Sequence, residues 1–129
     1  MLRDGRAQGA LVSNGESEAE PESSWFHPDH WREAGKAIGE ARGRGTALIF
    51  EEGGRRFVLR HYRRGGLIAK WNPDRYLWLG EDATRPLREL RLTMQLKAAG
   101  LPVPEPIAAR YLREGALYRG DLITALLPD

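Results

Sequence analysis

Two β-rich runs joined by a glycine doublet constrain this chain more than any other feature. Thr46-Ala-Leu-Ile-Phe50 and Arg55 to Arg63 flank Glu51-Glu-Gly-Gly54. Glycine reaches positive φ without a Cβ penalty, so Gly53-Gly54 predicts a tight hairpin whose twist suits the flanking strands. In the second run Phe57 and Leu59 alternate with Val58 and Arg60, the two-residue period of a strand with two different faces. On that period Arg60 and Tyr62 share one face, and His61 and Arg63 share the other. Gly65-Gly66 ends the run.

The period then changes. After Leu67 to Asp82, which reads as a loop or short helix packed by Trp71, Tyr76 and Trp78, a helical pattern runs from Thr84 to about Ala98. Leu87, Leu90 and Met94 fall on one side of it, Leu92 and Leu96 on another. Gly100 is placed to close the helix as its C′ residue, and Pro102 and Pro104 prevent continuation. Ile107 to Leu112 and Leu117 to Leu126 read as two more strands around a turn at Arg113-Glu-Gly115. Upstream, Asp29 is a possible N-cap for a short helix from about His30 to Ala37, followed by a Gly-rich connection through Gly35, Gly39, Gly43 and Gly45. This order predicts an α+β fold: a twisted antiparallel sheet of about four to five strands with one long helix packed on it.

Met1 to Ser24 is rich in Gly, Ser, Glu and Ala, with little apolar bulk, and is expected to be disordered. Residues 25–129 form the folded domain. The charge is uneven: the first 24 residues carry −3 of a net +2, leaving +5 on the remainder. A moderately basic domain suits an anionic partner such as a nucleotide, phosphorylated sugar, membrane surface or nucleic acid; a solvated basic face with no specific ligand is the alternative. The absence of cysteine excludes disulfides, a thiolate nucleophile and a cysteine zinc site. No stretch approaches the roughly 18 to 20 apolar residues of a membrane span, and Met1 to Val12 lacks the apolar core of a secretory signal. A cytoplasmic setting is the expectation. His27, His30 and His61 have no recognised metal spacing and read as structural or surface residues.

Three elements have chemistry in them. Gly39-Glu-Ala-Arg-Gly43-Arg-Gly45 lies immediately before a strand. Its spacing fits neither the phosphate loop that ends in Lys-Ser/Thr nor a Rossmann turn, which opens a helix. It does fit a glycine loop within a hairpin, where backbone N–H groups approach phosphates; a plain flexible turn is the alternative. On the strand Phe57-Val-Leu-Arg60, Arg60 stands where a kinase places its phosphate-holding cation, oriented by a carboxylate of the next helix. The candidate carboxylate is Glu89, which on helical spacing borders the Leu92 and Leu96 face; an exposed pairing with Arg85 or Arg88 is the alternative.

Together these segments resemble the Kdo (3-deoxy-D-manno-octulosonic acid) kinases of the lipopolysaccharide kinase family, whose fold is protein-kinase-like. The resemblance covers about Phe26 to Pro128. It rests on Gly39…Gly43-Arg-Gly45, Val58-Leu-Arg-His-Tyr-Arg-Arg-Gly-Gly-Leu67, Asp74-Arg-Tyr-Leu-Trp78, Thr84-Arg…Arg88-Glu89, Gly100-Leu-Pro-Val-Pro-Glu-Pro-Ile107 and Tyr118-Arg-Gly-Asp-Leu-Ile-Thr124. It implies the ATP-binding small lobe of an enzyme that phosphorylates the 4-hydroxyl of Kdo on lipid A, peripherally at the cytoplasmic side of the inner membrane. By the same resemblance Gly43, Arg44 and Gly45 belong to the nucleotide-covering loop, Arg60 grips phosphate, Glu89 is its partner, and Ala125 to Leu127 form a hinge that meets adenine. Ala125 stands where the family tends to carry an acidic residue. The partners implied are ATP with Mg²⁺, the Kdo-lipid A acceptor and the membrane surface, with no nucleic acid.

A catalytic loop of the type H-x-D-x-x-x-x-N does not occur in these residues. No catalytic residue or metal ligand is therefore assigned, and the Mg²⁺ ligands are expected in a lobe that is missing here. The chain is read as a fragment, inactive alone and binding ATP weakly or not at all. The rival readings are a nucleic-acid-binding module that stacks bases on Trp71, Tyr76 and Trp78, another small-molecule kinase of the same fold, and a stand-alone interaction protein.

Overall fold

The structure, a computed structural model, describes residues 2–4, 7–13, 23–43, 45–62, 71–72 and 74–126. Among the described residues eight strands form one antiparallel sheet: β1 (Leu2–Asp4), β2 (Ala7–Ser13), β3 (Ala37–Gly43), β4 (Gly45–Glu52), β5 (Arg55–His61), β6 (Tyr76–Leu77), β7 (Pro106–Glu114) and β8 (Leu117–Ala125). Their spatial order is β1-β2-β7-β8-β5-β4-β3, with β6 pairing the free stretch of β8. Two helices, α1 (Pro28–Glu33) and α2 (Arg85–Ala98), pack on it. The run β3-β4-β5-β8-β7 with α2 between β5 and β7 in sequence is the expected kinase-like small lobe; the N-terminal hairpin and β6 enlarge the sheet beyond four to five strands.

The predicted hairpin forms. Gly53 and Gly54 turn at φ of 60° and 78°, and Phe50 pairs Phe57 while Ala47 pairs Arg60 across it. Alternation then sorts the faces. Leu48, Phe50, Phe57, Leu59 and Ile123 point to one side, where Trp25, Phe26 and Trp31 cover them. Trp31 stacks on Phe50 at 4.0 Å and 11°, and its indole N–H donates to the Trp25 carbonyl at 2.8 Å. The opposite side carries Ala109, Tyr111, Tyr118 and Leu122, which Leu87 and Leu90 of α2 bury.

Helix α2 is fixed at both ends. Tyr118 accepts the Arg85 N–H at its hydroxyl, 3.0 Å, satisfying a donor that has no partner within the helix. At the other end Gly100 (φ 86°) donates to the Lys97 carbonyl, and the Leu101 N–H reaches back to Leu96, which is a Schellman closure. In between, Gly120 of β8 lies so close to α2 that a Cβ there would sit 2.7 Å from Pro86 Cγ.

Three expectations are corrected. Ala7–Ser13, placed in a disordered tail, forms β2 along the edge of β7; a short apolar run too small for its own core gains a template from an existing strand edge. Leu2–Asp4 of the same tail forms β1 on β2, and Ser23 and Ser24 open a 3-10 turn; residues 1, 5, 6 and 14–22 lie outside the described residues. The Gly-rich connection is strand β3, because pairing with β4 outweighs the low strand propensity of glycine. Helix α1 starts at Pro28 with His27 as N-cap; Asp29 sits in the first turn, paired with Arg32 at 3.2 Å. The Arg63 and Gly65-Gly66 strand end, Leu67 and Ile68 also lie outside the described residues.

Candidate nucleotide site beside helix α2

Arg60 is paired in register with Ala47 on one side and Leu122 on the other, so its side chain emerges on the α2 face. There its guanidinium forms an ion pair with Glu89 Oε2. The second carboxylate oxygen, Oε1, accepts the Tyr62 hydroxyl at 2.8 Å. The Arg60 guanidinium also lies 5.8 Å from the Tyr62 ring centre. Glu89 therefore turns to the sheet and does not take the exposed pairing with Arg85 or Arg88. The helix border beside Glu89 differs from the one expected from spacing: Leu92 is 54% exposed, and the buried face is Leu87 and Leu90.

The surface around this pair is uneven in a useful way. Helix α2 contacts β7 and β8, leaving Ala47, Ile49, Val58 and Thr124 half-buried on the same face as Arg60. Gly39 pairs Ile49 with no side chain of its own to cover it. The result is a flat apolar strip that ends in a cation. The β3–β4 hairpin closes with Gly43 opposite Gly45 at the Arg60 end of the strip. Ala125 lies at the other end, paired with Phe57. Arg44 and Leu127 lie outside the described residues. The N–H groups of Ala125 and Leu126 donate to Glu105 and Arg56 carbonyls at 2.8 and 2.9 Å, so both are already engaged within the fold.

A cavity of about 340 Å³ lies on the opposite face, lined by Phe26, Leu48, Leu59, His61, Arg110 and Asp121 among others. Its buried polar groups hold one another. Asp121 accepts Arg110 at 2.8 Å and His61 Nδ1 at 2.7 Å, and His61 Nε2 meets Asp74 at 2.8 Å. The hydrogen bond to Asp121 pushes the imidazole pKa above its usual 6.5, against the effect of burial. This is a structural clasp tying the segment around Asp74 to the sheet, which agrees with a structural reading of His61. Among the described residues no group of three His, Asp or Glu could hold a metal ion, and Glu89 is committed to Arg60 and Tyr62.

The base-stacking surface of the nucleic-acid reading is not formed. Tyr76 is buried against Tyr118, and Trp78 packs on Tyr111 with centroids 5.1 Å apart; only Trp71 of the three stands free in solvent, 91% exposed. Tyr62, the second partner of Glu89, was not assigned a role from sequence, although strand alternation already placed it on the face of Arg60.

Comparison with known proteins gives a family match. The model of the lipopolysaccharide kinase (Kdo/WaaP) family matches residues 28–128. Among curated proteins, a 3-deoxy-D-manno-octulosonic acid kinase of Stenotrophomonas maltophilia (strain K279a) is 45% identical over 121 residues, 94% of this chain and 48% of that protein. Proteins with the same description from Xanthomonas oryzae pv. oryzae (strain PXO99A) and Xylella fastidiosa (strain M23) are each 42% identical, over 98% and 93% of this chain and 51% and 48% of their own lengths. The chain spans about half the length of the curated relatives it matches. No solved structure matches it.

Proposed function

Because this chain belongs to the lipopolysaccharide kinase (Kdo/WaaP) family, we propose that it is the nucleotide-gripping half of a kinase that transfers a phosphoryl group from ATP to the 4-hydroxyl of Kdo on lipid A. The observation that carries this reading is the Arg60–Glu89 pair, set where strand β5 meets α2 and where the glycine-tipped β3–β4 hairpin ends. The apolar strip of Ala47, Ile49 and Val58 suits the flat face of a purine. Arg60 at its end suits the α- and β-phosphates, with Gly43 and Gly45 bringing backbone N–H groups near them.

In phosphoryl transfer the protein contributes mainly position and charge neutralisation. This chain's residues would bind the base, hold the polyphosphate by a planar two-pronged cation, and keep that cation aimed through Glu89. The general base and the Mg²⁺ ligands would come from elsewhere in the full enzyme, which would work at the inner-membrane surface where its lipid-linked acceptor lies. No helix among the described residues is long and apolar enough to cross a membrane.

The test uses the Stenotrophomonas maltophilia relative with Mg·ATP and Kdo-lipid A, with phosphorylated product read by mass spectrometry. Replacing by Ala the residue that aligns with Arg60 should lower kcat/KM for ATP at least about a hundredfold, the scale of losing a charged transition-state contact. Unchanged kcat/KM would remove Arg60 from the nucleotide site.

A further inference from the structure

We propose that Tyr62 is a positioning residue for the nucleotide grip: its hydroxyl holds Glu89 facing the sheet, so that Arg60 stays aimed when phosphate draws it away from the carboxylate. This rests on the nucleotide reading of Arg60.

A two-membered ion pair has a weakness as a ligand-binding device. A bound polyphosphate competes with the carboxylate for the same guanidinium, and a carboxylate freed of its cation turns back to water. Glu89 is more than a third exposed, so nothing about burial alone would keep it inward. The structure supplies a third member. Tyr62 donates to Glu89 Oε1 at 2.8 Å, on the oxygen that Arg60 does not use. The two donors therefore do not compete, and the hold of Tyr62 survives departure of Arg60.

Tyr62 is itself well anchored. Its backbone N–H donates to the Gly120 carbonyl at 3.0 Å, and its ring packs against the cluster that includes Leu87 and Leu90. It thus ties the end of β5, the middle of β8 and the first turns of α2 to one point. Burial, then the charge of Glu89, push the phenol well above its usual pKa of 10. It remains a donor throughout the physiological range. A tyrosine is suited to this work because its hydroxyl sits at the end of a rigid ring with few rotamers to lose.

The test takes the 129-residue chain as wild type, Tyr62→Phe, Arg60→Ala and the double variant. Phe keeps the ring, so thermal unfolding should stay near that of wild type. In ¹⁵N relaxation the Arg60 Nε–H should lose order in Tyr62→Phe. Titration with Mg·ATP, followed by NMR so that millimolar affinity is readable, should show about tenfold weaker binding in Tyr62→Phe, the scale of one hydrogen bond to a charged group. In the Arg60→Ala background the same change should cost nothing further. Unchanged order and affinity in Tyr62→Phe, or an equal loss in both backgrounds, would overturn the proposal. The nucleotide reading fails separately, in the full-length relative: unchanged kcat/KM for ATP there on replacing by Ala the residue that aligns with Arg60 would sink it whatever the order of Arg60 in this chain, so the two failures are separable.

Discussion

Gly120→Ala tests whether α2 is held where its carboxylate can reach Arg60. The backbone at Gly120 is not in a positive-φ conformation, so an alanine there meets no backbone strain. What it meets is the Pro86 ring: the new Cβ would lie 2.7 Å from Cγ and 2.8 Å from Cδ. Relaxed carbon–carbon contact is about 3.5 to 4.0 Å, so helix and strand must separate by about 1 Å. Pro86 cannot swing aside, being a closed ring and fully buried. Overpacking of this kind costs about 1 to 3 kcal/mol, against which the lower entropy of the unfolded alanine chain offsets about 0.4 to 1 kcal/mol. At the middle of both ranges the net loss is about 1.3 kcal/mol, or roughly 4 to 8 °C in Tm for a domain of this size. Thermal unfolding followed by circular dichroism reads this directly. Adding Pro86→Ala removes the ring, and the double variant should be less destabilised than the sum of the two single changes. A Gly120→Ala chain as stable as wild type, or a double variant that is simply additive, would show that α2 does not press on β8 at this point.

Further outcomes follow from the same contacts. Arg60→Ala should change stability by no more than about 1 kcal/mol, because both members of its ion pair are more than a third exposed, while weakening the NMR response to Mg·ATP more than Tyr62→Phe does; urea unfolding beside the titration separates the two. Trp31→Ala should cost about 3 to 5 kcal/mol, since a fully buried ring stacked on Phe50 leaves a cavity that α1 cannot fill; loss of the folded baseline in near-ultraviolet circular dichroism checks it. For His61, hydrogen bonding to Asp121 raises the folded pKa above 6.5. Its stabilisation should be complete below that value and fade as pH rises through the folded pKa. Urea midpoints on either side of 6.5 should show this decline, and His61→Gln should flatten it.

Much of the sheet was legible because local chemistry and global fold agree there. The Gly53-Gly54 turn needed positive φ, Phe57 and Leu59 needed a buried face, and Gly100 needed a left-handed cap; each requirement can be read from one residue and its neighbours. The failures share a different cause. Strand β3 and strand β2 exist because an edge was already available to pair with, and Gly39 or Ala10 says nothing about that edge. The site divides in the same way. Arg60 and Glu89 were placed together from strand and helix spacing, with Leu92 and Leu96 mistaken for the buried border. The hydroxyl of Tyr62 on Glu89, the hydroxyl of Tyr118 at the start of α2, and the close approach of Gly120 to Pro86 all depend on pairings 27 or more residues apart. No window along the chain contains both partners.

The two faces of the sheet differ in a way that stability alone does not explain. On the α1 face the aromatic cluster is closed, and Arg110, Asp121, His61 and Asp74 form a chain in which each charged group has its partner. No buried side-chain nitrogen or oxygen among the described residues lacks a hydrogen bond. On the α2 face the helix stops short of β4, apolar Ala47, Ile49 and Val58 stay half open, and an ion pair stands in solvent at their margin. An exposed pair of this kind contributes about 1 kcal/mol at most to folding. Holding its carboxylate with two separate donors, one in β5 and one just past its end, adds order where the fold gains little from it. That order has a physical rationale if the pair must present a cation to something that fits the open strip, which is why the tyrosine, and not the ion pair alone, is the more discriminating residue to change.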